Sequence, residues 1–210
     1  VPEDAADDEH LRIVYDVKCS MNVEHAILQA GGRPVMARTG HSFMKRVLAS
    51  MPECKMAAEM SGHIFLADRG WYGFDCSLYN AARLIELWSR QAPVVDGGPS
   101  FSNELDRLAP SLPTTGEVKV PCEEDDKIRV VSAITEAFND MEASTVDGVR
   151  VRFNDDNGEY VGWYLARKSN TEPVLVMRME ALSESTLQAM MDVVNERVSG
   201  IINIEKLLTA

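Results

Sequence analysis

The sequence predicts an α/β chain in two parts. A mixed, largely parallel α/β/α domain over residues 1–94 is followed by a smaller α+β domain over 95–210, with an antiparallel sheet and two helices. Three observations carry this prediction. Through the first half, apolar runs of strand length alternate with helix-period segments in the order β-α-β-α-β. From Gln91 to Pro99, two prolines and Gly97-Gly98 interrupt all periodicity, which reads as a linker. Beyond it the rhythm changes to strictly alternating strands joined by turn residues.

After an acidic lead-in, Arg12–Asp16 is the first strand-length apolar run. Ser20 can cap a helix carrying Ala26, Ile27 and Ala30, which stops at Gly31-Gly32. Pro34–Arg38 reads as the second strand. Ser42 is expected to cap a second helix with Phe43, Val47 and Leu48 on one face, ended by Pro52. Lys55–Met60 and His63–Ala67 are the third and fourth strands. A helix over 77–89 then places Leu78, Ala82, Ile85 and Trp88 at helical spacing.

In the second half, a short helix around Phe101, Leu105 and Leu108 leads through Pro110 and Pro113 to the strand Glu117–Pro121. A helix over 125–138 carries Ile128, Val131, Ile134 and Phe138. Val149–Phe153 alternates, Asp155–Gly158 turns it into Tyr160–Ala166, and Val174–Ala181 is a further strand. The Asp155–Gly158 segment lacks the alternate-position ligands and distal glutamate of a calcium loop, so it reads as a turn. Ser183 caps a helix bearing Leu187, Met190, Met191, Val194 and Val198, closed by Gly200. The tail with Ile201, Ile202, Ile204, Leu207 and Leu208 is expected to form a final helix over the domain's own core, the alternative being packing against a partner.

Composition narrows the function classes. The chain is 45% hydrophobic and 26% charged, which is ordinary globular usage. No stretch approaches the ~18–20 continuous apolar residues of a membrane helix. A net charge of -12 argues against general nucleic-acid binding, although a local basic pocket can still take a small anion. Cys19, Cys54, Cys76 and Cys122 are scattered, with no C-x-x-C, which suggests reduced thiols and a cytoplasmic protein rather than a disulfide or zinc site. Val1-Pro2-Glu3-Asp4 has no basic or apolar leader pattern and no starting Met, so a processed or partial chain is expected.

In an open α/β sheet, ligands bind outside the carboxyl ends of the strands. Those ends deliver Lys18, then Arg38-Thr-Gly-His-Ser42, then Glu59-Met-Ser-Gly-His63. One sheet edge is thus expected to gather Lys18, Arg38, His41, Glu59, Ser61 and His63. Such a set can bond adjacent sugar hydroxyls and favour an anionic substituent. Singly, each has a plainer reading: Lys18 in a surface pair with Asp16, His41 packing at a helix start, and Glu59–His63 as a simple turn. In the second domain, Arg167-Lys-Ser-Asn-Thr171 offers cations, hydroxyls, an amide and backbone N–H groups suited to a phosphate, or else is a polar hairpin loop.

Taken together and in order, Tyr15-Asp-Val-Lys-Cys19, Gly31-Gly-Arg-Pro-Val35, Thr39-Gly-His-Ser42, Glu59-Met-Ser-Gly-His63, Trp71-Tyr-Gly-Phe-Asp75, Ala81-Ala-Arg-Leu84 and Ser169-Asn-Thr171 with Pro173 resemble the α-D-phosphohexomutase superfamily, within it the bacterial phosphomannomutase/phosphoglucomutases. Met60 favours the mannose/glucose subgroup. Arg38 and Ala58 depart from the Lys and Gly common at those positions, which bears on the subgroup more than on the family.

The resemblance implies most of the third of four domains plus the fourth. It implies that Glu59 and Ser61 hold sugar hydroxyls and that Lys18 and His63 serve as acid/base or charge-stabilising groups, with His41 close by. Arg167, Ser169, Asn170 and Thr171 would grip the phosphate that is not transferred. The phosphoserine loop and the aspartate loop for Mg2+ belong to domains 1 and 2 of that family and do not occur in this sequence. The implied reaction interconverts mannose or glucose 6-phosphate and 1-phosphate through a hexose 1,6-bisphosphate. The alternatives are a phosphoglucosamine mutase and a non-catalytic phosphosugar-binding module.

Overall fold

A computed structural model describes residues 11–91, 100–108 and 110–209. The acidic lead-in and most of the expected linker lie outside them. The chain divides into two compact units between Pro110 and Ser111.

The first unit runs β1 (Arg12–Asp16), α1 (Met21–Gln29), β2 (Arg33–Ala37), α2 (His41–Ser50), β3 (Cys54–Ala58), β4 (Ile64–Leu66), α3 (Ser77–Gln91) and α4 (Phe101–Leu108). Its sheet has the order β2-β1-β3-β4. Parallel pairing sets Val14 beside Val35 and Ala57, and only β4 is antiparallel. Successive side chains of β1 point to opposite faces, so each face needs its own cover. On one, Val14, Ala57 and Phe65 bury against Met44 and Leu48 of α2. On the other, Tyr15 buries with Ile27 of α1. The unit is therefore an α/β/α layer, as the β-α-β-α-β order predicts.

Local chemistry sets the helix ends. Ser20 Oγ accepts from Asn22 N at 3.1 Å, the expected N-cap. At α2 the expectation fails: the helix begins at His41, its N-cap is Gly40, two residues before Ser42, and no side chain caps it. Ser42 falls inside the first turn because Gly40, at φ 127°, already redirects the backbone. The α3 periodicity is real, yet Leu78 and Ile85 remain 82% and 68% exposed.

The second unit comprises β5 (Val118–Pro121), α5 (Lys127–Ala137), β6 (Ala143–Ser144), β7 (Val149–Asn154), β8 (Tyr160–Lys168), β9 (Val174–Ala181), α6 (Glu184–Val198) and α7 (Glu205–Leu208). Its sheet is antiparallel throughout, in the order β5-β9-β8-β7-β6. Ile134 and Phe138 at α5, Met190 and Val194 of α6 and Leu207 of α7 share one core with Val151, Tyr164 and Met177 of the sheet. The apolar tail thus folds onto its own domain. Two-residue β6 has no pattern in the sequence. Ser183 Oγ caps α6 through Thr186 N at 3.1 Å. Asp155 Oδ1 accepts from Asn157 N and Glu159 N, both at 2.9 Å, which makes the β7–β8 link a turn built on that carboxylate. All four cysteines are free thiols.

Arg197, in the last turn of α6, donates to Ala137 O at 2.9 Å and forks onto the Asp140 carboxylate beyond α5. Its hydrogen bond holds the Asp140 carboxyl below the usual carboxylate range, against a smaller opposing effect of desolvation. A depressed folded-state value means that the stabilisation is full above about pH 4, the ordinary range of an unfolded Asp, and is lost as pH falls through the lower folded value. Asp140→Asn is expected to lower the melting temperature at pH 7, with the gap to the parent chain closing towards pH 3; thermal melts at both pH values test this.

Candidate functional site

Because β2, β1 and β3 run parallel, the loops that follow them emerge on one edge. Asp16, the last residue of β1, joins those loops. It is fully buried, and a buried carboxylate requires donors. Oδ1 accepts from Lys18 N at 3.2 Å, Cys19 Sγ at 3.1 Å and Met60 N at 3.4 Å. Oδ2 accepts from Thr39 Oγ1 at 3.0 Å. One side chain thus binds the β1–α1 turn, the β2–α2 loop and the β3–β4 hairpin. Asp16 is an internal strut, which removes the reading of an exposed Lys18–Asp16 pair.

Glu59 makes the second link. Its Oε1 accepts from Gly40 N at 3.1 Å and its Oε2 from Ser61 Oγ at 3.2 Å. The carboxylate is buried while Ser61 is exposed at the hairpin tip. Glu59 N donates to His63 O at 2.9 Å and Gly62 N to Glu59 O at 3.0 Å, which closes the hairpin. His41 is exposed at the start of α2, and Lys18 is half-buried. Lys18, His41, Glu59, Ser61 and His63 therefore stand on one sheet edge.

His63 has a partner to which the sequence reading assigned no role. Its Nδ1 lies 2.6 Å from Asp75 Oδ2. Asp75 is placed by the loop after β4, where it forms a backbone bridge with Phe65. That loop is pinned by Trp71 stacked on Tyr79 at 4.4 Å, by Tyr79 Oη donating to Asp68 Oδ1 at 2.7 Å and by Arg83 Nε donating to Asp68 Oδ2 at 2.9 Å. Although burial opposes it, these bonds hold the Asp68 carboxyl below its ordinary range. An ionised carboxylate only accepts, so this contact favours the tautomer with the proton on Nδ1, in which Nε2 is the acceptor.

In the second unit, Arg167, Ser169, Asn170 and Thr171 occupy the end of β8 and the loop to β9. Asn170 and Thr171 are exposed and Ser169 is buried. Ser169 Oγ accepts from Thr171 N at 3.3 Å and Glu172 N at 3.2 Å, which folds the loop tightly. Arg167 is buried: its Nε donates to Asp147 Oδ2 at 2.9 Å, with the two side chains 6% and 4% exposed. Arg167 Nη2 is buried with no hydrogen-bond partner among the described residues. Asp147 reaches this position because Gly148 follows it at φ 80°, where a Cβ would lie 2.3 Å from Ala166 O. Asp147 was not legible as a site residue; its only signal is Asp-Gly before an alternating strand.

Among the described residues no three His, Cys, Asp or Glu side chains form a group that could hold a metal ion. No helix among them is long and apolar enough to cross a membrane.

The two domain types have one set of counterparts. Residues 3–97 match the α/β/α domain III of phosphoglucomutase/phosphomannomutase, and residues 117–197 match the C-terminal domain of the same enzymes. The chain belongs to the phosphoglucomutase/phosphomannomutase family. It is 36% identical over 195 residues to the phosphomannomutase/phosphoglucomutase of Pseudomonas syringae, an alignment covering 92% of this chain and 37% of that enzyme. A Neisseria gonorrhoeae phosphoglucomutase is 35% identical, with 84% and 36% covered. A phosphoglucomutase/phosphomannomutase family protein of Burkholderia thailandensis has a solved structure that superposes with a TM-score of 0.74 at 34% identity, covering 91% of this chain and 38% of that one. Aspergillus fumigatus N-acetylphosphoglucosamine mutase, solved with GlcNAc-6P and magnesium, shares the fold at a TM-score of 0.56 and 12% identity, with 90% and 39% covered. The chain spans a little over a third of the length of the curated relatives it matches.

The pairing of His63 with Asp75 has a spectroscopic consequence. Nitrogen-resolved NMR of neutral His63 is expected to show the proton on Nδ1, and Asp75→Ala should shift the population towards the Nε2-protonated form. An unchanged tautomer balance would mean that the pair does not form.

Proposed function

We propose that this chain supplies domains three (1–94) and four (95–210) of a phosphomannomutase/phosphoglucomutase, and with them its sugar and phosphate clamps. One observation carries the reading. In a chain that aligns with named mutases through both units, Asp16 and Glu59 gather three strand-end loops that bear a hydroxyl, a carboxylate and imidazoles on one edge. Hydroxyls of a hexose can exchange with the Glu59–Ser61 bond, since each sugar hydroxyl both donates and accepts. His63, oriented by Asp75, and Lys18 would move a proton or stabilise charge at the oxygen that gains or loses phosphate, with His41 beside them. Arg167, Ser169, Asn170 and Thr171 would hold the phosphate that stays in place. The unpartnered Arg167 Nη2 supports this assignment, because an unmet buried donor costs ~1–3 kcal/mol that an anionic oxygen would offset.

The phosphoryl donor, a phosphoserine, and Mg2+ are assigned to domains 1 and 2 of the intact enzyme. Among the described residues no group of His, Cys, Asp and Glu side chains could hold that metal. In the reaction, a phosphoserine passes its phosphoryl group to the free hydroxyl of a hexose phosphate, and the other phosphate of the resulting hexose 1,6-bisphosphate returns to the serine. Phosphoryl transfer relies on positioning and charge stabilisation, so clamps without nucleophile or metal give no turnover. The four free thiols and the acidic composition support a cytoplasmic placement.

The test is a titration of the 210-residue chain with glucose 1-phosphate, mannose 1-phosphate and glucosamine 1-phosphate, followed by amide NMR. Shifts are expected at residues 59–63 and 167–171, and Asn170→Ala with Thr171→Ala should weaken binding by about tenfold or more, as two lost hydrogen bonds imply. Binding of glucosamine phosphate in preference to the other two would favour a phosphoglucosamine mutase. The chain alone is expected to show no mutase turnover in a coupled assay, and measurable turnover would refute the assignment of nucleophile and metal to other domains.

A further inference from the structure

Lys127 opens α5 and is only 1% exposed. A buried ammonium requires acceptors for its three N–H groups. Its Nζ donates to Ser169 O at 3.0 Å and to the carbonyl of Glu172, and it pairs with the carboxylate of Glu124. Both carbonyls belong to the β8–β9 loop that the proposed function assigns to phosphate. In a planar trans peptide the N–H points away from the C=O of the same peptide unit. Drawing the Ser169 carbonyl inward therefore turns the Asn170 N–H outward, on the side where Asn170 and Thr171 are exposed.

The neighbouring amides take no part in that presentation, since Thr171 N and Glu172 N are already taken by Ser169 Oγ. The positive charge of Lys127 also lies directly behind the loop, and the carboxylate that offsets it is on Glu124, whose side chain is 74% exposed. A fixed charge behind outward-facing donors raises the local potential for an anion.

We infer that Lys127 is a positioning residue of the phosphate loop: it holds the Ser169 and Glu172 carbonyls inward, presents the Asn170 N–H to the ligand and contributes positive potential from beneath. The inference rests on the reading of residues 167–171 as the phosphate grip. It touches no substrate itself.

Inorganic phosphate titrated into the 210-residue chain at constant ionic strength tests it, with the Asn170 amide as reporter. The parent chain should show a saturable shift of that amide. Lys127→Met should raise the dissociation constant by about tenfold or more, the size of one lost charge-assisted hydrogen bond. Unchanged affinity in a folded Lys127→Met chain overturns the inference and leaves the loop assignment standing. Because that substitution strands two carbonyls, Glu124→Ala supplies a second reading with Lys127 and both carbonyl bonds retained. Removal of the offsetting carboxylate should tighten phosphate binding by roughly twofold or more, whereas equal or weaker binding overturns the inference. A parent chain whose Asn170 amide ignores phosphate overturns the loop assignment and this inference together.

Discussion

A charge taken out of water must be met inside the protein, and each loop of the candidate site is shaped by one such meeting. In the first unit the charge is Asp16, whose two oxygens receive donors from three separate strand-end segments. Glu59 repeats the arrangement one strand further, with a glycine amide on one oxygen and a serine hydroxyl on the other. In the second unit the charges are Lys127 and the Arg167–Asp147 pair. Buried ion pairs are poor evidence for stability, because desolvation consumes most of their attraction. What these groups do is positional: they hold loops, which are otherwise the most adaptable parts of a fold, in one geometry.

The same constraint links structure to chemistry. Sugar hydroxyls are small and similar, so a clamp must place a carboxylate and a hydroxyl at a defined spacing. The β3–β4 hairpin holds Glu59 and Ser61 at such a spacing because its tip is tied to β1 and to the start of α2, which is what suits it to the proposed role. A phosphate needs donors converging from several directions. In the proposed reading the β8–β9 loop meets that need with the Asn170 N–H and the exposed Asn170 and Thr171 side chains, because the Ser169 and Glu172 carbonyls are held by Lys127. His63 depends on a loop held by an aromatic stack and the Asp68–Tyr79–Arg83 cluster, whose members are spread along the chain well beyond it.

Much of the fold was legible because local pattern and burial agree. Val14 and Tyr15 on opposite faces, the Ser20 and Ser183 caps, and the Met190–Met191 stripe follow from period and cap chemistry alone. Ser42 has the chemistry of a cap but not its place, because Gly40 has already turned the backbone into the helix two residues earlier. The exposed Leu78 and Ile85 show that helical period identifies a face without saying what covers it. Asp75 stood inside a recognised motif but drew no role, since the residue it meets is twelve positions earlier. Lys127 left one faint sign: it falls in register with Val131, Ile134 and Phe138, an unusual place for a lysine.

The order of every element but β6, the parallel and antiparallel halves, the family and the segments that carry its polar groups are written in the linear pattern. Those properties depend on near neighbours along the chain, or on motifs that retain their order. Folding alone brings Asp75 to His63, makes Asp16 a strut rather than a surface partner, anchors Arg167 on Asp147 and sets a lysine from α5 against the carbonyls of the β8–β9 loop. Hydrogen bonds and buried charges act over about 3 Å between residues tens of positions apart, and nothing in a linear pattern states which of them will meet.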